Sequence, residues 1–338
     1  MIDKIIKAVK SSNKRRGRNI TIGAVIGFLL SCTVVMGAGE IGLEIGNSEN
    51  RIEFKKDGTV FIPKKEDGSD KDPYLDNSWE EGAKTYTNNT IISGYSGSGN
   101  SYGVKLSGTL DKFKFINNTL ITGTGYDEAY GIFLDSSKVE DIINTGVVTV
   151  RSFDTTYGIY LASSKAEGIT NSGIISTAND GSPSAYGIYL RDSSVVEYIE
   201  NTGLIYSAYN GIELNSSSIG DIINTGVIYG DNYQGISQYS DSTISHITNT
   251  GVIYGKINAV NNSSGTIGSL NNYGILATKG SSVVANSGTL TTENNYGLYI
   301  EKSTGIVTVD AGKASNDPTE IIVGYDENGD PIKRNMTI

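Results

Sequence analysis

One repeated phrase constrains the fold of this chain more than any single residue does. A Tyr-Gly-Ile strand is followed by a Ser-rich corner, an apolar stretch, and Asn-Thr-Gly ahead of another short apolar strand. The phrase returns every 23 to 30 residues, and its Asn stands at Asn117, Asn144, Asn171, Asn201, Asn224 and Asn249. Since each unit is too small to bury its own apolar face, the units must stack on one another.

Aligning the units indicates which side chains face inward. In the first strand (residues 130–134, 157–161 and 186–190) the third and fifth positions are aliphatic and the fourth varies, which is the period of a half-buried strand. Three short strands per unit predict an all-β fold, a right-handed parallel β-helix (β-solenoid) of about eight to nine rungs. A differently wound β-solenoid is the alternative, because the sequence determines the stacking better than the number of faces.

The Asn residues of the repeat are interpreted as structural. A buried Asn at a corner can bond to the backbone and to the Asn residues above and below it. We therefore predict an Asn ladder formed by the six residues named above, rather than a ligand site.

Residues 1–38 are predicted to be a signal peptide. Seven basic residues precede an apolar run, residues 20–36, that ends in the small residues Gly37, Ala38 and Gly39. A transmembrane anchor is the first alternative, although the run is shorter than the roughly 20 apolar residues a span needs. The second alternative is a lipoprotein signal acylated at Cys32, which is the only cysteine of the chain.

Beyond this leader the chain is acidic. It contains 20 basic and 36 acidic residues after residue 38, so it would repel phosphate backbones and nucleic acid is an unsuitable partner. No zinc spacing, phosphate loop or Ser-His-Asp set is found. We therefore expect neither a metal, nor a small-molecule cofactor, nor an enzymatic activity.

The repeat also suggests domain boundaries. Residues 39–84 lack the repeat and are rich in Lys, Asp, Glu and Pro, so they are predicted to be an N-terminal cap or linker. Residues 85–310 are predicted to form the parallel β-helix. Residues 311–338 are predicted to be a C-terminal hairpin, with Asn328-Gly329 at its tip, or a truncated continuation of the repeat.

Few residues are candidates for catalysis. His246 is the only histidine, and with no Ser or acid repeated beside it we expect an exposed rung residue. Glu140, Glu167 and Glu197 each lie four positions before an Asn, so they should stack on consecutive rungs. Such a column could recruit a cation or act in a polysaccharide lyase or glycoside hydrolase, but no Lys or Arg partner stacks beside it.

Aromatic residues recur at two positions that the alternation places outward. An exposed Tyr is suited to contact with sugar or protein, because the ring is apolar and its hydroxyl forms hydrogen bonds. Stacking that merely stabilises neighbouring strands is the other interpretation. The candidate binding residues are Phe133, Tyr160 and Tyr189 on the first strand and Tyr206, Tyr229 and Tyr254 on the third.

The basic extended leader (Lys14-Arg-Arg-Gly-Arg-Asn19) together with the Asn-Thr-Gly and Tyr-Gly-Ile rungs resembles the passenger region of fusobacterial-type autotransporters. The resemblance implies Sec export, display through a C-terminal outer-membrane barrel, and commonly adhesion. Since few residues follow Asp310, we expect no barrel in this sequence, which would then be a fragment or a product released or attached by another route.

From these observations we expect an exported adhesin, at the cell surface or outer membrane or secreted. Its partners would be a host cell-surface protein or glycan, or another bacterial surface. A polysaccharide lyase or hydrolase and a purely structural stalk are the alternatives.

Overall fold

The structure, a computed structural model, describes residues 41–45, 53–54, 60–61, 78–80, 84–109, 112–179, 184–302, 319–325 and 331–336. The predicted signal peptide, with Cys32, lies outside these residues. None of the described segments is helical, so none contains a helix that could cross a membrane.

The strands are short and follow one another closely along the chain. In order they are β1 (Ile41–Ile45), β2 (Glu53–Phe54), β3 (Val60–Phe61), β4 (Ser78–Glu80), β5 (Thr85–Asn88), β6 (Ile91–Tyr95), β7 (Ser101–Thr109), β8 (Lys114–Asn117), β9 (Leu120–Gly125), β10 (Glu128–Asn144), β11 (Val147–Ser152), β12 (Thr155–Ala162), β13 (Lys165–Asn171), β14 (Ile174–Asn179), β15 (Ala185–Arg191), β16 (Val195–Asn201), β17 (Leu204–Ser207), β18 (Asn210–Asn215), β19 (Ser218–Asn224), β20 (Val227–Gly230), β21 (Gln234–Tyr239), β22 (Ser242–Asn249), β23 (Val252–Gly255), β24 (Asn258–Asn262), β25 (Gly265–Asn272), β26 (Ile275–Thr278), β27 (Val284–Asn286), β28 (Thr289–Asn295), β29 (Leu298–Ile300), β30 (Thr319–Tyr325) and β31 (Pro331–Met336).

The strands stack into three faces, and each turn of the chain contributes one strand to each face. Face 1 contains β1, β7, the first half of β10, β12, β15, β18, β21, β24 and β27. Face 2 contains β5, β8, the second half of β10, β13, β16, β19, β22, β25 and β28. Face 3 contains β6, β9, β11, β14, β17, β20, β23, β26 and β29.

All pairings within the three faces are parallel, and they join equivalent residues of successive turns. Ile132 pairs with Ile159 on face 1, and Ile142 pairs with Ile169 on face 2. The chain is therefore an all-β parallel β-solenoid of about eight turns, as the repeat predicted.

The core runs along the axis of the solenoid. Every turn contributes apolar side chains from all three faces, so that Ile132, Ile142 and Val148 meet there with 0% of their surface exposed. The predicted inward residues Ile169 and Ile199 are also fully buried. Burial of this continuous apolar column is the main favourable term that holds the turns together.

An uninterrupted row of Asn side chains marks the corner between face 2 and face 3. Asn144 donates from Nδ2 to Oδ1 of Asn171 at 2.8 Å, and Asn171 donates to Asn201 at 2.8 Å. Asn171 also donates to the backbone oxygen of Leu204 at 3.1 Å. Beyond the six predicted residues, the row includes Asn88, Asn272 and Asn295.

The Gly of Asn-Thr-Gly is required at this corner by close packing between turns. A Cβ at Gly173 would overlap the backbone oxygen of Gly146, and the same crowding recurs at Gly203 beneath Gly173. Only a residue without a side chain lets successive turns approach this closely.

A second row of polar side chains, this time serines, marks the corner between face 1 and face 2. The first serine of each pair has a left-handed backbone, with φ of 49° at Ser136 and 48° at Ser163. The next serine is buried: the Ser164 hydroxyl oxygen accepts from the Ser137 N–H at 2.9 Å and donates to Leu134 O at 3.1 Å. These hydroxyls satisfy the backbone groups that the sharp corner leaves without strand partners.

The segments on either side of the repeat contain a few further strands. Within residues 39–84, β1 adds a parallel strand to the start of face 1, and β4 pairs antiparallel with β5. In the tail, β30 and β31 form an antiparallel pair. The proposed Asn328-Gly329 tip falls outside the described residues.

Replacing Asn171 with Ala should destabilise the solenoid measurably. The change removes the acceptor of Asn144 and the donor to Asn201 inside a buried row. We expect the unfolding free energy to fall by about 2–4 kcal/mol, measured by urea denaturation followed by circular dichroism. The matched control is Ser172→Ala at the neighbouring exposed position, which should change stability by less than about 0.5 kcal/mol. Equal losses in the two variants would contradict a stabilising ladder.

Candidate functional site

The aromatic residues of face 1 form a packed layer on the outside of the sheet. The rings of Phe133, Tyr160 and Tyr189 pack against one another on successive turns, with ring centroids 5.1 Å and 5.5 Å apart. Tyr130 and Tyr157, from the first position of the same strands, lie beside them at 4.9 Å and 4.6 Å. The two columns therefore cover each other.

This packing corrects the expectation that Phe133, Tyr160 and Tyr189 form an exposed strip. Their exposed fractions are 9%, 6% and 8%. Strict alternation would turn Tyr130 inward, but the pairing skips Gly131, where a Cβ would overlap Val148 and the Gly158 oxygen. Because Gly131 and Ile132 both face the core, the alternation is broken there, and both columns lie on the outside and interlock. Exchanging these rings for Ala would test packing more than binding.

The predicted tyrosines of face 3 are partly accessible. Tyr206, Tyr229 and Tyr254 stack with centroids 5.6 Å and 4.5 Å apart. Tyr206 and Tyr229 are half-buried, whereas Tyr254 is only 4% exposed. The hydroxyl of Tyr206 donates to Asp231 at 3.2 Å, and burial raises the pKa of Tyr206.

An exposed, in-register aromatic pair beside face 3 was not nominated from the sequence. The corner that connects face 3 to face 1, here named the third corner, contains Tyr126 and Phe153, which are 54% and 55% exposed. Their rings stack on adjacent turns at 5.6 Å and 6°. Farther along, Tyr209 and Tyr233 stack at 4.6 Å. The signal in the sequence was an aromatic residue shortly before four of the first strands of the repeat, outside the strand columns.

The acidic column on face 2 has a basic partner, contrary to the sequence analysis. Glu140, Glu167 and Glu197 occupy equivalent positions of successive turns, as the neighbouring pairs show. Lys114 from the preceding turn lies 2.7 Å from both Glu140 and Asp141. Hydrogen bonds to Asp141 and then Glu140 raise the pKa of Lys114, so this lysine is held as a cation. Glu167 and Glu197 are exposed.

A tyrosine joins this charged group from two turns away. Tyr198 donates from its hydroxyl to Asp141 at 3.1 Å, reaching across Gly168. A Cβ at Gly168 would overlap the Tyr198 ring, so the glycine makes room for the contact. Burial, followed by the charge of Asp141, raises the pKa of Tyr198, which keeps its hydroxyl protonated. The arrangement therefore offers paired charges rather than a free general base.

His246 is exposed, as expected, but it has an acidic neighbour. Its Nδ1 lies 2.7 Å from Oδ1 of Asp221, the equivalent residue of the preceding turn. The contact was missed because the two residues are 25 positions apart and are brought together only by stacking. Within the described segments no third His, Cys, Asp or Glu completes a metal-binding group.

Where the aromatic layer of face 1 ends, a carboxyl group takes the place of a ring. Glu213 lies at the position equivalent to Tyr189 and is 6% exposed. Asn210 donates a hydrogen bond to Glu213. Burial raises the pKa of Glu213 to about 7, and Tyr186, Tyr189, Tyr209 and Tyr239 are the titratable groups that face it.

The core itself becomes polar in the later turns of face 1. Gln238 stands where earlier turns have Leu, is 0% exposed, and donates to Asn262 at 2.7 Å. Asn262 in turn donates to Asn286 at 2.7 Å. This second amide row is absent from the aligned Tyr-Gly-Ile strands, which is why the repeat did not predict it.

Comparison with protein-family models, with curated proteins and with solved structures found no match for this chain. The functional interpretation therefore depends on the geometry described above.

Protonation of Glu213 should make the solenoid more stable in acid than in mild base. Since the folded pKa, about 7, exceeds the ordinary value of 4.5, the stabilisation is complete below pH 4.5 and is lost as the pH rises through 7. We expect the unfolding free energy to fall by about 3 kcal/mol across this range, measured by urea denaturation at each pH.

The control for this titration is a pair of Glu→Gln variants. Glu213→Gln should remove this pH dependence and should be more stable than the unmodified chain at about pH 8. Glu197→Gln, at an exposed position, should leave the profile unchanged. An identical profile in the chain and in Glu213→Gln would contradict the assignment.

Proposed function

We propose that this chain is an exported, passenger-like surface protein whose solenoid acts as an adhesin. The leader would direct it to the Sec machinery, and the mature protein would stand at the cell surface or outer membrane or be secreted. Its partner would be a host cell-surface protein or glycan, or another bacterial surface. One observation carries the proposal: exposed rings stand in register on a rigid corner of the solenoid.

Rigidity is what makes such a corner suitable for binding. Tyr126 N–H donates to Gly99 O at 3.2 Å, and Thr155 N–H donates to Asp127 O at 3.1 Å. These bonds tie each corner loop to the adjacent turn. A surface that is already ordered loses little conformational entropy when a partner docks.

The charged group on face 2 gives less support to an enzyme. Its lysine is bound between two carboxylates, and its tyrosine donates to one of them. We propose that the protein has no catalytic activity and that Lys114, Asp141 and Tyr198 cross-link three turns on the outside of face 2.

Adhesion of whole cells tests this function directly. Cells that express the full chain should bind host cells or matrix, and protease treatment of intact cells should remove both the protein and the adhesion. The double variant Tyr126→Ala/Phe153→Ala should bind at least about fivefold less, because a few aromatic anchors dominate most interfaces. Its unfolding profile should match that of the unmodified chain, since both rings are exposed.

Two control measurements separate the alternatives. If the chain releases products from a panel of polysaccharides and the Glu167→Gln variant does not, the protein is an enzyme rather than an adhesin. A displayed protein that neither adheres nor releases products would be a stalk, and the proposed function would be wrong.

A further inference from the structure

The third corner is a ridge rather than an isolated pair of rings. Besides the stacked pair Tyr126 and Phe153, later turns place Tyr209 and Tyr233 in the same connection, followed by Ile257, which is 40% exposed. The half-buried tyrosines of face 3, Tyr206 and Tyr229, precede this connection by two to four residues. Apolar surface is therefore available on five turns of this edge, and the connection between the turns of Phe153 and Tyr209, residues 180–183, lies outside the described residues.

Carboxylates accompany the rings along this ridge. Asp127 and Asp154 are exposed and directly follow Tyr126 and Phe153 in the sequence. Glu128 and Asp231 also lie here, but each already accepts a tyrosine hydroxyl, from Tyr130 at 2.5 Å and from Tyr206 at 3.2 Å. Asp127 and Asp154 are thus the carboxylates best placed to meet a partner.

Basic residues are fewer around the two exposed rings. The turns of Tyr126 and Phe153 contain one, Arg151, which lies two positions before Phe153, against the carboxylates Asp127, Glu128 and Asp154. Lys256, which donates to Asn232 at 3.1 Å, and the exposed Lys279 lie in later turns of the described corner. The chain as a whole has a formal net charge of −10. The local field has the same sign as that of the whole protein, and it attracts cations.

We propose that the third corner docks a cationic protein segment, whose Arg or Lys side chains lie against Tyr126 and Phe153 and pair with Asp127 and Asp154. This inference rests on the proposed adhesive function and names its partner. A cation near an aromatic ring is attracted by the ring quadrupole, and a flanking carboxylate adds a charge-assisted hydrogen bond. Polyanions, including nucleic acid and sulfated glycans, meet a repelling field at this ridge.

The choice of a cationic over an uncharged partner depends on the two exposed carboxylates. A neutral sugar could stack on the rings, but it would have to cover Asp127 and Asp154 without supplying a compensating charge. Covering a carboxylate without such a partner costs free energy, whereas a guanidinium offsets that cost.

Binding of a labelled Arg-rich decapeptide to the full chain, measured by fluorescence anisotropy, tests the proposal. Asp127→Asn/Asp154→Asn should weaken binding about tenfold, and Tyr126→Ala/Phe153→Ala should do the same. Affinity should also fall as salt is raised from about 50 to about 200 mM, because the contacts are largely exposed.

Each variant has a matched control elsewhere on the solenoid. Glu167→Gln/Glu197→Gln changes the net charge by the same amount on face 2, and Tyr273→Ala/Tyr296→Ala removes another exposed stacked pair, at 5.1 Å. Both controls should bind the decapeptide within about twofold of the unmodified chain.

Several results would overturn the proposal. If Asp127→Asn/Asp154→Asn and Glu167→Gln/Glu197→Gln weaken decapeptide binding equally, binding depends only on net charge and not on this corner. Binding of uncharged dextran that is lost in Tyr126→Ala/Phe153→Ala would make the ridge a glycan site, and the adhesive function would survive. If the decapeptide does not bind but cells that express the unmodified chain still adhere, only the cationic partner is rejected. If those cells do not adhere, the proposed function itself is rejected.

Discussion

The hydrogen bond from one Asn side chain to the next is the constraint on which the rest of the structure depends. Asn144, Asn171 and Asn201 are completely buried, and each amide must find its partners within the corner. That requirement is met only when successive turns lie in register, since a shift of one residue would leave several buried amides without partners. The apolar core supplies most of the stabilisation, and the same shift would turn its aliphatic side chains outward.

The register of the turns also decides which side chains meet on the outer surface of the solenoid. Equivalent positions of neighbouring turns always adjoin, so residues far apart in sequence form compact groups, such as Lys114, Asp141 and Tyr198. The chemistry of each group is set by the residues that happen to occupy one column. On face 2 the column produces paired charges, and at the third corner it produces rings flanked by carboxylates.

The sequence predicted the solenoid, its inward aliphatic columns and the position of the Asn row, because these features recur in every unit. Exposure was harder to predict. Alternation predicted the outward direction of Tyr160, but it breaks at Gly158, which faces the core as Ile159 does. Tyr157 therefore lies beside Tyr160, and both rings are buried. The partners of Glu140 and His246 were missed for a related reason, since each partner comes from another turn and occurs only once.

The polar rows of the later turns were missed because they break the pattern. Gln238 and Asn262 replace Leu at an inward position, and Glu213 replaces a ring in the aromatic layer. The repeat pattern describes what all turns have in common, so it does not predict a residue that differs from the others in a single turn. The third-corner rings were missed in a similar way, because only some of the turns contain an aromatic residue at this corner.

The central claim is that equivalent residues of successive turns lie directly above one another, and distances between spin labels test it most directly. With Cys32 replaced by Ser, one label at Asn118 can be paired with a second at Thr202, Thr225 or Thr250, all exposed positions of the Asn corner. These positions are three, four and five turns away, so a strand spacing of about 4.8 Å predicts backbone separations near 14, 19 and 24 Å. A constant increment per turn is the predicted result. Distances that fail to increase from Thr202 to Thr250 would contradict the continuous solenoid, and with it the proposed ridge.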